Sequence, residues 1–119
     1  MTGLELAIQG LQEALDAPRR QHMWRWLVRH RMAAVKDALA PEGMRGGDAW
    51  LASRERTLHR ERETLVRRLT DLGPEVLESD DVDRVRTDLR ALVGALERYR
   101  QRLNDLVYDS VSLELGGSE

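Results

Sequence analysis

Cysteine and phenylalanine are absent from this chain of 119 residues, and Lys36 is the one lysine among its 19 basic residues. Without cysteine the chain cannot form a disulfide, attack through a thiolate or bind a metal through sulfur. No stretch approaches the ~20 apolar residues that a membrane-spanning helix requires. The first residues also lack the basic and apolar regions of a secretory signal. We therefore expect a cytoplasmic protein.

Helical periodicity runs through every segment outside the loops. We predict helices over about residues 3–16, 18–40, 49–72 and 81–113. The segment 41–49 reads as a loop because it contains a proline and three glycines, and Gly73-Pro74 is predicted to end the third helix. The connections are short, which favours antiparallel neighbours. The sequence therefore predicts an all-α protein, an antiparallel up-down four-helix bundle with a long C-terminal helix, in one domain over 1–119.

The fourth helix has the most regular pattern in the chain. Its apolar positions form two heptad series, one of Val82, Leu89, Leu96 and Leu103 and the other of Val85, Leu92, Tyr99, Leu106 and Leu113. At 1.5 Å per residue this helix is roughly 50 Å long and the second helix roughly 35 Å. Because an uncovered apolar strip tends to find a partner, we expect a homodimer. Ser79-Asp80-Asp81 is predicted to cap the start of this helix.

The second helix contains two tryptophans among arginines. Its predicted core stripe is Met23, Leu27, His30, Ala34 and Ala38, widened by Trp24, Trp26, Val28 and Val35. The mixture of Trp and Arg is also typical of a helix lying on a membrane surface, but this helix is needed to cover its neighbours. We therefore expect Trp24 and Trp26 in the core or in a protein interface, with Leu106 and Leu113 as further interface candidates, and no membrane partner.

Charge is unevenly placed although the formal net charge is −2. Residues 19–36 carry six cations and no acid, and residues 103–119 carry four acids and no cation. We interpret the two runs as solvated helix faces that attract each other inside the bundle. A nucleic-acid-binding domain is usually basic overall, so we expect no nucleic-acid partner.

Four polar residues fall on inferred core stripes: His30, Glu55, Arg62 and Tyr99. Their positions near the middles of three helices suggest a polar layer inside the bundle, although long side chains can also reach water at a seam edge. A buried guanidinium requires a partner, and Glu55 is the expected one.

A metal site is the alternative interpretation of the same region. Glu55, His59 and Glu63 are spaced four residues apart and share a helix face. Together with His30 they could hold iron or manganese. In a segment this rich in arginine and glutamate such spacing is common by chance, so a solvated, salt-bridged flank is the preferred interpretation of His59 and Glu63.

Residues 23–117 resemble the hemerythrin-like superfamily of four-helix bundles. The segment LVRHRMAAVKDAL is similar to the family's first helix, and His30 matches its ligand. In RERETLVRRLTDLG and ALERYRQRLNDLVYDSV, the family's ligand positions hold Arg62, Tyr99 and Leu103. The ending LNDLVYDSVSLELGGSE is similar to those of small bacterial relatives. The resemblance implies a member that has lost its two-iron site, so oxygen carriage is not carried over.

No phosphate-binding glycine loop, nucleophile elbow or Ser/His/Asp set stands out in the sequence. We therefore expect a non-enzymatic bundle without a cofactor, acting as a protein-binding or regulatory module. The alternative is a bundle that binds a metal or a small ligand through His30, Glu55 and His59.

Overall fold

The described part of the protein forms a ring of four helices. The structure, a computed structural model, describes residues 2–18, 21–40 and 49–117, with side chains described for 2–18, 23–40 and 51–111. The described part contains four helices and no strand: α1 (Gly3–Asp16), α2 (Gln21–Ala38), α3 (Ala49–Glu78) and α4 (Val82–Gly117). α1 packs against α2 and α4, and α3 packs against the same two helices. The predicted all-α four-helix bundle is confirmed.

Aliphatic side chains fill the space between the helices. The apolar residues at helical spacing on α1, Leu4, Ile8, Leu11 and Leu15, are buried, and both Ile8 and Leu11 are fully inaccessible to solvent. On α4, Leu89, Leu92 and Leu96 are likewise fully buried. The heptad series of α4 therefore faces the other helices, as a sustained pattern of this kind requires.

Side chains cap the first turns of α1 and α4. The hydroxyl of Thr2 accepts a hydrogen bond from the Glu5 N–H at 3.1 Å. The carboxylate of Asp81 accepts one from the Arg84 N–H at 3.1 Å. Both bonds satisfy backbone donors that lack a partner within the helix. The predicted cap at the start of the fourth helix is confirmed, and this helix extends further than predicted, to Gly117.

α3 does not end at Gly73-Pro74, and this part of the prediction was wrong. The helix continues to Glu78 with Pro74 inside it. An interior proline costs a backbone hydrogen bond and about 3 kcal/mol. Burial of Val76 beyond it offsets this cost, and Arg25 of α2 donates a hydrogen bond to the Val76 carbonyl at 3.1 Å. The apolar pattern of the core therefore continues past a strong stop signal.

The buried face of α2 is rotated about the helix axis relative to the predicted core stripe. Met23, Trp26 and His30 are exposed. The buried residues of this helix and its end are Trp24, Val28, Met32, Val35 and Leu39. The observed stripe buries larger apolar side chains than one built on His30 and two alanines, so it removes more apolar surface from water.

The described parts of the basic and acidic runs do not pair with each other, which corrects the interpretation of the charge pattern. α2 and α4 lie across the ring and do not pack together. Among the described residues, no ion pair joins the basic run of 19–36 to the acidic run of 103–119. Arg29 lies over Gly73, at 3.0 Å from the place that a Cβ would take. Arg25 and Arg29 of the basic run therefore lie against α3, whereas Arg31 lies against Gly10 of α1.

Candidate functional site

α3 and α4 extend beyond the two shorter helices at one end of the bundle. An ion pair of 3.4 Å between Glu5 and Arg100 places the start of α1 beside the middle of α4. Beyond this level α3 and α4 continue as a pair, joined by the 2.7 Å ion pair of Arg54 with Asp109. We call residues 49–61 of α3 and 103–117 of α4 the projection.

One apolar stripe of α4 continues along the projection. Leu89, Val93 and Leu96 of this stripe are buried. The same spacing of three and four residues then reaches Leu103, Val107 and Val111 beyond the start of α1. Leu103 is partly buried against the core, whereas Val107 is 43% exposed and Val111 is 50% exposed. We call Leu103, Val107 and Val111 the open seam.

A cavity of about 1040 Å³ lies where the projection leaves the four-helix part, and we call it the step cavity. Its walls are residues 2–4 of α1, residues 37–40 at the end of α2, and parts of α3 and α4 that include Leu103 and Val107. Four arginines and two carboxylates line it: Arg56, Arg60, Arg62, Arg100, Asp37 and Glu55. The cavity therefore combines an apolar strip with a wall in which cations outnumber acids.

Arg62 joins the end of α2 to α3. Its guanidinium donates to the carbonyl of Leu39 at 3.3 Å, and this carbonyl follows the last residue of α2. The other terminal nitrogen lies 2.8 Å from the carboxylate of Glu63 and 3.1 Å from Nδ1 of His59. The side chain is only 12% exposed. Arg62 therefore places a cation at the C-terminal end of a helix, where the helix dipole favours one.

Tyr99 forms part of the wall opposite α3 and is only 5% exposed. Burial raises the pKa of its hydroxyl, because the phenolate would lose its hydration, and the nearby charge of Arg62 lowers the same pKa by a smaller amount. Since an ordinary tyrosine titrates near pH ~10, Tyr99 is neutral at physiological pH. It presents a neutral phenol to the step cavity.

Three of the four residues predicted to form a polar layer line the step cavity, and the fourth lies elsewhere. Glu55, Arg62 and Tyr99 share this cavity. The prediction for His30 was wrong, since it is exposed on α2 and stacks on Trp26, with ring centroids 5.7 Å apart. The carboxylate that pairs with Arg62 is that of Glu63, not the expected one of Glu55.

The alternative metal-ligand set does not come together. His30 lies on the outer face of α2, away from the other candidates. His59 and Glu63 are 4.0 Å apart, but Arg62 bonds to both of them. A guanidinium in this place repels a second cation. In the described part of the chain, no three His, Asp or Glu residues are grouped to hold a metal ion.

Of the predicted interface residues, Trp24 and Leu106 belong to the core, with exposures of 3% and 1%. Trp26 is 68% exposed and remains accessible to a partner. The side chain of Leu113 lies outside the described residues. Val107 and Val111 were not predicted as interface residues because neither falls on a heptad seam, although the stripe through Leu89 and Leu96 leads to them.

The described helices include none that combines the length and the apolar character needed to cross a membrane. Comparisons with known protein families, curated proteins and solved structures find no match to this chain.

Proposed function

We propose that this protein is a cytoplasmic, metal-free helical bundle that acts as a protein-binding or regulatory module through its projection. Its similarity to the hemerythrin-like superfamily is part of the proposal, as a member in which the two-iron site has been lost. The proposal concerns binding rather than chemistry, because the described residues that line the step cavity include no nucleophile paired with a base.

The open seam is the observation that carries the proposal. Leu96 is fully buried, whereas Val107 and Val111 on the same stripe lie beyond the level of Glu5 and are 43% and 50% exposed. An apolar stripe at helical spacing is the surface that a partner helix recognises in a groove. Arginines of the step cavity flank the seam and provide the polar rim that protein interfaces usually have.

The position of Arg62 supports the loss of the metal. Where the resemblance places a histidine ligand, this chain has a cation that bonds the end of α2 and Glu63. An arginine is charged at all physiological pH values. In this proposal its fixed charge serves a structural role at a place where a metal ion serves one in relatives.

The alternative function is a bundle that binds a metal or a small ligand at the step cavity. Its support is the shared cavity of Glu55 and His59. Only one of these residues is a carboxylate, and the cations around them favour an anionic ligand over a metal ion.

Metal analysis discriminates between the two functions. We expect protein produced without an affinity tag in iron- and manganese-supplemented cells to contain well under one metal ion per chain, because the ligand set is not assembled. One or two ions per chain would contradict the proposal. Arg62→Met is the matched variant. If the positive charge of Arg62 excludes a metal ion, the metal content of this variant should exceed that of the wild-type chain.

A further inference from the structure

We propose that the partner seated on the projection is a second copy of this chain, in an antiparallel two-fold arrangement. This inference rests on the proposed function, because it names the protein that the open seam binds. Each copy would lay the C-terminal part of its α4 along the open seam of the other and bring it to the other's step cavity.

The lengths of the exposed parts fit such an arrangement. The projection contains residues 49–61 of α3 and 103–117 of α4, each roughly 20 Å long at 1.5 Å per residue. When the projections of two copies lie side by side in opposite directions, each projection covers the other over its full length. The result is a second four-helix layer between the two bundles. A two-fold interface of this kind uses the same surface on both copies and closes on itself.

The charges of the projection also fit a second copy. The segment 103–117 of α4 carries three acids and no cation. Asp109 is paired with Arg54 of the same chain, and Glu114 falls in the last turns of α4. On the α3 side, Arg56 and Arg60 line the step cavity, and neither forms an ion pair with a described residue. An antiparallel partner places the end of its α4, which contains Glu114, against these arginines, and opposite charges in this position favour the correct register.

Val107 and Leu77 provide a matched pair of variants for the test. Both are exposed apolar residues, with exposures of 43% and 46%, and they lie at opposite ends of the bundle. We expect the wild-type chain to show twice its monomer mass by light scattering at tens of micromolar. Val107→Asp is expected to weaken dimerisation by about tenfold or more, while Leu77→Asp leaves it unchanged. Circular dichroism checks that both variants keep the helical fold.

The charged wall gives a second measurement. Replacing Arg56 and Arg60 together by Glu should weaken the dimer and remove part of the dependence of its dissociation constant on salt. A wild-type monomer at tens of micromolar, or a dimer that Val107→Asp does not weaken, would overturn the second-copy inference.

A third experiment distinguishes failure of the second-copy inference from failure of the proposed function. A photo-crosslinking residue is placed at position 107, and crosslinking is carried out in the producing cells. An adduct of twice the chain mass supports the second copy. A discrete adduct with a different protein overturns the second copy and leaves the proposed function standing, and the absence of any protein adduct contradicts both.

Discussion

Leu96→Ala is expected to lower the free energy of unfolding by about 2–5 kcal/mol. Leu96 lies in the middle of α4 and is fully buried. Truncating it removes apolar surface from the core and leaves a cavity among side chains that can relax only in part. Denaturant titration at fixed protein concentration measures the change, since association also contributes to apparent stability.

Leu6→Ala is the matched control for this measurement. Leu6 is on α1 and is 56% exposed, so the same substitution should change the free energy of unfolding by about 0.5 kcal/mol or less. If Leu96→Ala cost less than about 1 kcal/mol, the seam of α4 would not be packed as the structure shows.

Arg62→Met is expected to lower the free energy of unfolding by about 1–3 kcal/mol. Methionine keeps most of the apolar stem, but it leaves the Leu39 carbonyl at the end of α2 without its donor and Glu63 without its cation. The greater part of the loss should come from the carbonyl, because Glu63 is 51% exposed and exposed ion pairs contribute only about 0–1 kcal/mol.

Two comparisons isolate the role of Arg62. Arg67→Met changes an exposed arginine on α3 that lies outside the projection and the step cavity, and it should be nearly neutral. A double-mutant cycle between Arg62→Met and Glu63→Gln should show a small positive coupling, whereas a cycle with Glu55→Gln should show less. A neutral Arg62→Met would mean that its contacts do not hold α2 against α3.

Much of the fold follows from periodicity. α1 was predicted from its first residue to its last, because the cap at Thr2 and the stripe through Ile8 agree. α4 was predicted from nine seam positions that repeat without interruption. Where local signals and the apolar pattern point the same way, the sequence specifies the element strongly.

Two parts of the fold could not be predicted in the same way. At Pro74 a local stop signal competed with the burial of Val76 and with a hydrogen bond from Arg25, which is 51 positions away in sequence. On α2 several apolar residues surround most of the helix, so the phase of the stripe was ambiguous. Tertiary contacts decided both cases.

The candidate site was predictable only in part. Glu55, Arg62 and Tyr99 were singled out as polar residues on apolar stripes, and the structure brings these three to one cavity. The open seam depends on where α1 begins relative to α4, and this offset is fixed by packing between residues far apart in sequence, such as Glu5 and Arg100.

The labelling rate of a thiol placed in the open seam tests the central claim most directly. The chain has no cysteine, so Val107→Cys and Leu77→Cys each create a single reactive position of similar exposure. In dilute purified protein a soluble maleimide should label both at similar rates. In concentrated lysate of the producing cells we expect labelling of Val107→Cys to slow several-fold relative to Leu77→Cys, because a protein covers the seam. Equal rates for the two variants in the lysate would contradict the account.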